Sequence, residues 1–503
     1  MQFHSHAVSE TEAWAKRLSL FAKPGFVILL VGELGAGKST FARAFIKALG
    51  KDNSEFDVPS PSFSLIQTYD NTRVAVAHVD LFRLPENEDT SELGLSELVN
   101  DYLLLIEWPR PAQHDLSTHI LHLNIKGPGQ GRVIDIQASG GWLSALKRDG
   151  EIEAFLTFAK TDVKTRLFFE GDASSRRYEK LRRGAESLIL MDMPQRPDGP
   201  AVKNGKPYSA IAHLAEGLRS VVAVNDQLLA MGYGAPKIYD CNIANGLALI
   251  EDLGTKVFGQ MMNAGENMQE PMAVTVEVLA AMAARIWPHS VPVRGGQPYQ
   301  LSHYDLEAQL IEVDLLPTWF HRHVFGKPAA ESLNQTFADL WRAVLPQAVA
   351  ENPVWVLRDF HSPNLLWLPE RQGLKRVGLI DTQDAVLGHP AYDLASMLQD
   401  ARVDISFDFA DRLYAHYVSL RKAAGSFDEA GFAKVYAILG AQRASKILGI
   451  FARLNLRDGK PQYLKHMPRV SRYLARNLQH PVLAGLKRWY ETDMPAALEI
   501  GKP

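Results

Sequence analysis

The sequence contains almost no cysteine, and this excludes two classes of structure. Cys241 is the only cysteine among 503 residues. A single thiol cannot form an intramolecular disulfide or supply the several thiolates of a cysteine-rich zinc site. Long apolar runs are also missing, since FVILLVG near the N-terminus is far too short to span a bilayer. The first residues lack the basic and apolar segments of a secretory signal, so we expect a cytoplasmic protein without membrane contact.

The chain also lacks an excess of charge of either sign. Its formal net charge is −3, with 46% hydrophobic and 22% charged residues. Proteins that bind nucleic acid or anionic membranes directly usually present a basic surface, so this composition argues against both roles. The remaining class is an ordinary globular protein, long enough for roughly three compact units of about 100–200 residues each.

The order of predicted elements changes near residues 140–152, at a Gly-Gly pair followed by a new helical pattern. Before this point, strand-like runs alternate with helical pieces, which predicts an α/β sheet domain over residues 1–145. After it, we expect a second domain over 152–503. Strand-like runs dominate this domain to about 255 and helical patterns dominate from about 256 onward, which is the two-lobed layout of a kinase.

A glycine-rich segment follows the first strand-like run. Residues 32–39, GELGAGKS, match the pattern GxxxxGK[ST] and lead into a helical pattern. In such a loop the glycines let backbone N–H groups surround phosphate oxygens, the lysine reaches the β- and γ-phosphates, and the hydroxyl binds Mg²⁺. A glycine-rich turn can match by chance, but the position between a strand and a helix favours nucleotide binding. The residues predicted to hold ATP are Gly32, Glu33, Leu34, Gly35, Ala36, Gly37, Lys38, Ser39 and Thr40.

Four further segments accompany this loop in a fixed order. They are VPSPSFSLIQTY at 58–69, HVDLFRL at 78–84, ELGLSEL at 92–98 and LLLIEWP at 103–109. With the loop, they make residues 10–140 resemble the TsaE family, the ATPase subunits of the bacterial machinery that makes threonylcarbamoyladenosine in tRNA. The resemblance implies TsaD and TsaB subunits as partners, with tRNA contacted only indirectly.

The same resemblance implies roles for individual residues. Asp80 would be a carboxylate on the Mg²⁺ side, although an Asp at a strand end is often only a helix cap. Glu107 would act at the metal or at the attacking water, with Trp108 beside it in the nucleotide site. Ser60 and Ser62 would lie on the segment that senses the γ-phosphate. The family usually has Thr at positions 39 and 62, and Ser keeps the hydroxyl at each, so Ser39 remains a predicted Mg²⁺ ligand.

A second set of polar residues follows two strand-like runs much later in the chain. In LRDFHSPNLL, residues 357–366, Asp359 precedes Asn364 by five positions, and the run VGLI ends at Asp381. In kinases, a catalytic-loop Asp accepts the proton of the acceptor hydroxyl, while an Asn and a second Asp hold Mg²⁺. A β-hairpin with acidic surface residues would have a similar sequence pattern, but the presence of all three side chains in this order favours phosphoryl transfer.

The wider pattern resembles the aminoglycoside-phosphotransferase superfamily and, within it, the AmgK kinases that phosphorylate the anomeric hydroxyl of N-acetylmuramate and N-acetylglucosamine. The resemblance covers nearly all of 151–490. The segments that carry it, besides the catalytic loop, are GDASSRRY (171–178), LILMDMP (188–194), LIEDLG (249–254), IDTQDA (380–385) and HPAYDLASMLQDAR (389–402).

This second resemblance also implies site residues. Gly171, Ser174 and Arg177 would belong to the turn over the ATP phosphates. The segment from Glu251 to Leu253 would form the hinge that meets the adenine. Asp393 would be a buried structural acid that steadies the catalytic loop, and Glu312 would touch the sugar, although a Glu on a helical pattern is usually only solvated.

Two positions depart from the kinase pattern. Leu357 stands where a His often begins the catalytic loop, and SLILMDMP lacks the Lys that protein kinases direct at the α- and β-phosphates. Arg176, Arg177 or Lys180 would then supply that charge. Because Asp359 and its two metal-binding partners are intact, we expect an active kinase.

The predicted fold class is therefore α/β: an N-terminal P-loop NTPase sheet domain followed by a two-lobed, protein-kinase-like (α+β) phosphotransferase domain. We predict a bifunctional chain with one set of ATP and Mg²⁺ in each domain. Two alternatives stay open from the residues alone. The second domain could phosphorylate another hydroxylated small molecule, such as an aminoglycoside or choline, or it could be a non-catalytic regulatory module.

Overall fold

The computed structural model describes residues 1–51, 56–85, 88–127, 131–162, 166–169, 176–197 and 199–500. It divides the chain into two compact units, Met1–Asp192 and Met193–Pro503. The predicted division at 145/152 follows the Gly-Gly pair and the change of sequence pattern after it, and it stays a prediction. None of the helices within the described ranges has both the length and the apolar content needed to cross a membrane.

The first unit combines ten strands with four helices in its described residues. These are β1 (Gln2–Ser5), α1 (Val8–Ser19), β2 (Val27–Val31), α2 (Lys38–Lys47), β3 (Ile66–Tyr69), β4 (Val76–Asp80), α3 (Leu95–Leu98), β5 (Leu103–Glu107), β6 (Ile120–Lys126), β7 (Arg132–Ala138), α4 (Gly140–Phe158), β8 (Leu167–Phe169), β9 (Arg177–Arg183) and β10 (Glu186–Asp192).

Seven of these strands form one sheet in the order β1-β7-β6-β2-β5-β4-β3. The central strand β2 runs parallel to β5 and β6, and β4 runs parallel to β5. Strands β4 and β5 are buried along their whole length and β2 along most of it, as expected for central parallel strands of nearly continuous apolar sequence. The carboxyl ends of β2, β4 and β5 therefore meet at one edge, where the glycine-rich loop begins.

Strands β8, β9 and β10 form an antiparallel group, in which β9 pairs with both of the others. Charged groups connect this group to α4. Arg166 donates from Nε to Glu179 at 2.6 Å and from NH1 to Asp149 at 2.6 Å. The Glu179 side chain is 0% exposed and that of Arg166 is 1% exposed. A guanidinium with two carboxylate partners is one of the few charged groups that can be buried this completely.

The second unit is mainly helical. Its described elements are β11 (Ala201–Lys203), β12 (Lys206–Pro207), α5 (Tyr208–Ile211), α6 (Leu218–Ala230), β13 (Ile238–Asn242), β14 (Leu247–Glu251), α7 (Phe258–Asn263), α8 (Gln269–Ala283), β15 (Ser290–Val293), β16 (Gly296–Gln300), α9 (Leu306–Val313), α10 (His321–Phe325), α11 (Glu331–Val344), β17 (Val354–Val356), β18 (Leu365–Trp367), β19 (Val377–Leu379), β20 (Val386–Gly388), α12 (Ala391–Leu398), α13 (Phe407–Ala423), α14 (Glu429–Leu456), α15 (Met467–Asn477), α16 (Ala484–Asp493) and α17 (Ala496–Glu499).

Two short antiparallel pairs carry the second candidate site. Strand β17 pairs with β20, and β18 pairs with β19, so the segments after β17 and after β19 are brought together. Helix α12 is buried at every residue, and the 28-residue α14 is buried along much of its central part. The sheet of the first unit and the helix-rich second unit confirm the predicted α/β fold class.

Candidate active sites

The glycine-rich loop between β2 and α2 has a backbone that requires glycine. Gly32 has a φ of 148°, and a Cβ there would lie 2.4 Å from the carbonyl oxygen of Ile125. Gly37, which precedes α2, has a φ of 106°. Residues with a side chain rarely adopt such positive φ angles, so these glycines allow the loop to curl tightly ahead of the helix N-terminus. The predicted phosphate-binding loop thus has the required local shape.

Lys38 is held inside this loop. Its Nζ donates to the carbonyl oxygens of Gly32 at 2.8 Å and Glu33 at 2.9 Å. The same ammonium lies 3.7 Å from the centre of the Trp108 ring, a favourable cation–π position. Burial lowers the pKa of Lys38, and the charges of Glu107 and Asp80 oppose this shift. The lysine is therefore fixed next to two carboxylates.

Hydroxyl and carboxylate groups converge beside the loop. The Oγ of Ser39 donates to Oε2 of Glu107 at 2.9 Å. Oδ2 of Asp80 accepts from Ser60 at 3.1 Å and from Ser62 at 2.9 Å. Asp80 and Glu107 are paired across β4 and β5, so their side chains leave the sheet at the same edge. One hydroxyl and two carboxylates are oxygen ligands suited to a nucleotide-bound Mg²⁺.

His78 is a site residue that our sequence reading missed. Its Nε2 lies 2.9 Å from Oε1 of Glu107, and the two side chains are 1% and 2% exposed. Nδ1 of His78 has no hydrogen-bond partner within the described ranges. The signal was present in HVD, because alternation along β4 places His78 on the same side of the strand as Asp80.

The second site is assembled by the turns after β17 and β19. Asn364 donates from Nδ2 to the backbone oxygen of Asp359 at 3.0 Å, and its own backbone oxygen accepts from Ile380 at 3.1 Å. These bonds tie the catalytic-loop segment to the residue before Asp381. Because Nδ2 is used within the loop, the amide oxygen of Asn364 is the group left to face a cation.

A strained turn precedes Asp359. The backbone N–H of Asp359 donates to the carbonyl oxygen of Leu357 at 2.8 Å, and Arg358, which lies between these two residues, has a φ of 68°. A three-residue turn with positive φ is rare, and such strain costs about 1–3 kcal/mol. Asp393 stabilises the turn, since its carboxylate accepts from the N–H of Leu357 at 2.6 Å and of Arg358 at 2.9 Å. Burial raises the pKa of Asp393 to about 7.

Asp359 itself is accessible, with its side chain 45% exposed and 4.0 Å from Nε2 of His361. Desolvation raises its pKa, but His361, Lys446 and Arg358 outweigh that effect and lower the pKa below its ordinary value. The carboxylate is thus ionised near neutral pH, as a proton acceptor must be.

Asp384 adds a third carboxylate to this region. Its Oδ1 accepts from the N–H of Ala215 at 2.6 Å. Burial raises the pKa of Asp384, and the negative charges of Asp359 and Asp381 contribute in the same direction. Like charges gathered in this way favour a bound cation. In the part of the chain that the structure describes, no group of three or more His, Cys, Asp or Glu side chains could hold a metal ion alone. A nucleotide-bound Mg²⁺ needs only one or two carboxylates, because phosphates and water complete its ligands.

Arg177 has different partners from those predicted. Its NH2 lies 3.0 Å from Asp192 and 3.2 Å from Glu179, and its guanidinium stacks 3.9 Å from the ring of Phe21. Along β9 it shares a face with the buried Glu179, opposite to the face of Tyr178. These groups are the neighbours of Arg177 in the described structure, and its contact with ATP stays a prediction. Gly171 and Ser174 lie outside the described residues.

The predicted hinge residues Glu251 and Leu253 lie at and just after the end of β14, and their contact with adenine stays a prediction. Glu251 ends β14, and its carboxylate accepts from the backbone N–H of Lys237 at 3.1 Å and from Arg371 at 2.6 Å. Leu253 packs close to Gly378 in β19, where an added Cβ would lie 3.0 Å from its Cδ1. The segment thus contacts the strand that leads to Asp381.

Glu312 does not occupy the position expected of a sugar ligand. Its side chain is 0% exposed and forms ion pairs with Arg358 and with Lys446, the latter at 2.8 Å. The predicted contact with the sugar would require displacement of one of these partners. The helical sequence pattern around Glu312 did not show that this side chain would be completely buried.

Comparisons with known proteins agree with the division between two sites. The family model described as threonylcarbamoyl adenosine biosynthesis protein TsaE matches residues 5–134, and that of the phosphotransferase enzyme family matches residues 165–430. An N-acetylmuramate/N-acetylglucosamine kinase of Caulobacter vibrioides is 36% identical over 69% of this chain and 97% of its own length. The tRNA threonylcarbamoyladenosine biosynthesis protein TsaE of Rickettsia felis is 39% identical over 23% of this chain and 67% of its own.

Among solved structures, a microcompartment-associated aminopropanol kinase is similar to the chain with a TM-score of 0.40 and 13% identity. The alignment covers 65% of this chain and 98% of that one.

Proposed function

The chain belongs to the TsaE family through its N-terminal part and to the phosphotransferase enzyme family through its C-terminal part, and we propose that it couples two ATP-dependent activities in one polypeptide. One activity serves threonylcarbamoyladenosine formation in tRNA. The other transfers phosphate to the anomeric hydroxyl of N-acetylmuramate or N-acetylglucosamine. The observation that carries the second activity is the assembly of Asp359, Asn364 and Asp381 around the loops after β17 and β19.

In the ATPase part, we propose that the backbone of the loop from Gly32 to Gly37 cradles the phosphates of ATP, with Lys38 neutralising their charge. Ser39 and Asp80 would hold Mg²⁺, and Glu107 would act at the metal or orient the attacking water. The hydrogen bond from Ser39 to Glu107 supports this assignment. TsaD and TsaB are the proposed partner subunits, and tRNA is contacted through them.

In the kinase part, Asp359 accepts the proton of the anomeric hydroxyl while that oxygen attacks the γ-phosphorus, and ADP leaves with the bridging oxygen. Asn364 and Asp381 would hold Mg²⁺, which neutralises phosphate charge when bound. Its lowered pKa keeps the Asp359 carboxylate ionised, so that the side chain is free to accept a proton. Because the substrates of both activities are intracellular, we also propose that the protein acts in the cytoplasm.

Phosphorus NMR on the full-length protein with ATP, Mg²⁺ and either sugar tests this proposal. A sugar 1-phosphate signal that disappears in Asp359→Asn is the expected result. An active protein that consumes ATP and forms no phosphate ester with either sugar would refute the proposed acceptor. A sugar phosphate on a hydroxyl other than the anomeric one would refute the proposed position of transfer.

A further inference from the structure

Glu312 is the centre of a buried ion cluster. Its Oε1 accepts from the guanidinium of Arg358 and from Nζ of Lys446 at 2.8 Å. Its Oε2 accepts from the hydroxyl of Tyr304 at 2.5 Å and from Nε2 of Gln442 at 3.0 Å. An ionised carboxylate offers about four lone-pair directions, so four donors use its whole capacity. No acceptor remains for a sugar hydroxyl.

Arg358 connects this cluster to the catalytic loop, because it immediately precedes Asp359. Its side chain is 2% exposed, and NH1 also donates to the backbone oxygen of Ala212 at 2.7 Å. The backbone oxygen of Arg358 accepts from the hydroxyl of Ser396 at 3.2 Å. The strained residue of the turn is thus fixed through its backbone and through its side chain.

Lys446 completes the cluster from helix α14. Besides its bond to Glu312, its Nζ lies 3.4 Å from the hydroxyl of Tyr392, and its side chain is 13% exposed. With Arg358, it gives the single carboxylate two cationic partners. Removing the charge of Glu312 or of Lys446 would leave the remaining buried charges imperfectly paired, which would disturb the geometry of the cluster.

We propose that Glu312 and Lys446 are positioning residues of phosphoryl transfer, which fix the guanidinium of Arg358 and through it the turn that directs the carboxylate of Asp359 toward the acceptor. Neither residue touches a substrate. This inference rests on the proposed kinase function, and it deepens that function by assigning the support of its base. The acceptor still enters beside Asp359, where the surface is open.

The test uses full-length protein carrying Lys38→Ala, so that ATP turnover reports the kinase site. Glu312→Gln keeps the shape of the side chain and removes its charge. We expect kcat for sugar phosphorylation to fall about 10²-fold, because a misplacement of a catalytic group by about 1 Å has an effect of this size. The KM values for sugar and for ATP should be nearly unchanged. ATP hydrolysis by water at the same site should fall in parallel.

Lys446 provides a second pair of variants that does not depend on Glu312→Gln folding. Lys446→Met should lower kcat about 10-fold, whereas Lys446→Arg keeps the charge and should restore most of the activity. The double variant Glu312→Gln with Lys446→Met should lose less than the product of the two single losses, because the two residues act through one contact.

Ser445→Ala is the matched control on the same helix. Ser445 is buried, and its hydroxyl lies 2.6 Å from that of Tyr490, away from the cluster. It should lower thermal stability without changing kcat at a temperature well below unfolding.

Three outcomes would overturn the inference: an unchanged kcat in both Glu312→Gln and Lys446→Met, a loss confined to KM for the sugar, or an equal loss of kcat in Ser445→Ala. Failure of the proposed acceptor looks different. A parent protein that phosphorylates neither sugar but hydrolyses ATP in a manner dependent on Glu312 would refute the acceptor and support the positioning role.

Discussion

The two candidate sites would hold phosphate with different parts of the chain. The first would use backbone groups of one loop, whose shape depends on Gly32 and Gly37 and whose lysine is the next residue. The second would use side chains, since Asp359 and Asn364 lie after β17 and Asp381 lies after β19. A backbone site is specified by a short stretch of sequence. A side-chain site depends on whatever holds the loops in place.

The supports of the two sites differ accordingly. At the first site, Asp80 and Glu107 come from neighbouring parallel strands, so the sheet itself sets their separation. At the second, the turn before Asp359 is held by Asp393 of α12 and, through Arg358, by Glu312 of α9. Strain in a turn persists only where such contacts over-determine it. The kinase site therefore has more distant positions at which a substitution can damage it.

Asp359→Asn should separate the two activities most strongly. The amide cannot accept the proton of the sugar, and loss of a general base costs about 10²–10⁴-fold in rate. ATP turnover at the P-loop site should be unchanged. The measurement is formation of sugar phosphate against ATP hydrolysis in the same preparation. A parallel loss of both would mean that the chain has one active site rather than two.

Lys38→Ala should produce the reciprocal result. Without its ammonium the loop loses the cation that neutralises the phosphates, and ATP turnover there should fall about 10²–10³-fold. Sugar phosphorylation should remain at the level of the unchanged protein. Hydrolysis is measured in an Asp359→Asn background, and tRNA modification is measured in a mixture reconstituted with TsaD and TsaB. Modification at the normal rate would contradict the role of this loop.

The antiparallel strands β9 and β10 offer a third contrast, because a buried ion cluster connects their group to α4. Arg166→Met would leave Glu179 and Asp149 without their shared partner, and breaking a buried pair in this way costs about 3–5 kcal/mol. Arg183→Met is the matched control, since its pair with Glu186 is partly exposed and contributes less than about 1 kcal/mol. Urea unfolding measures both, and equal losses would contradict the prediction.

Features that depend on residues close together in sequence were predicted, whereas contacts between residues far apart in sequence were not. The glycine-rich loop and the polar residues at strand ends were predictable, because each depends on spacing within a few residues. The partners of Arg177 were not, since Phe21 and Asp192 are distant in sequence and only the folded β9 brings them together. For the same reason, a sequence pattern alone did not distinguish a solvated Glu312 from one with four buried donors.

His78 lies between these cases, and it provides the smallest of the predicted effects. Nε2 is the donor when Glu107 is ionised, so the imidazole holds Oε1 and leaves Oε2 to Ser39. His78→Phe keeps the ring and removes this bond, which should lower ATP turnover at the P-loop site about 10-fold, as for other residues that orient a ligand. Sugar phosphorylation should not change.

A matched control is available on another strand of the same sheet. His122 lies on β6, where its ring is 5.5 Å from that of His114 rather than near Glu107. His122→Phe should keep full ATP turnover, so a ten-fold loss in this variant as well would assign the effect to packing of the sheet. If His78→Phe turned over ATP at the normal rate, the sheet edge alone would suffice to orient Glu107. The parallel strands would then position the first site without further side-chain contacts, whereas the second site depends on contacts from helices α9 and α12.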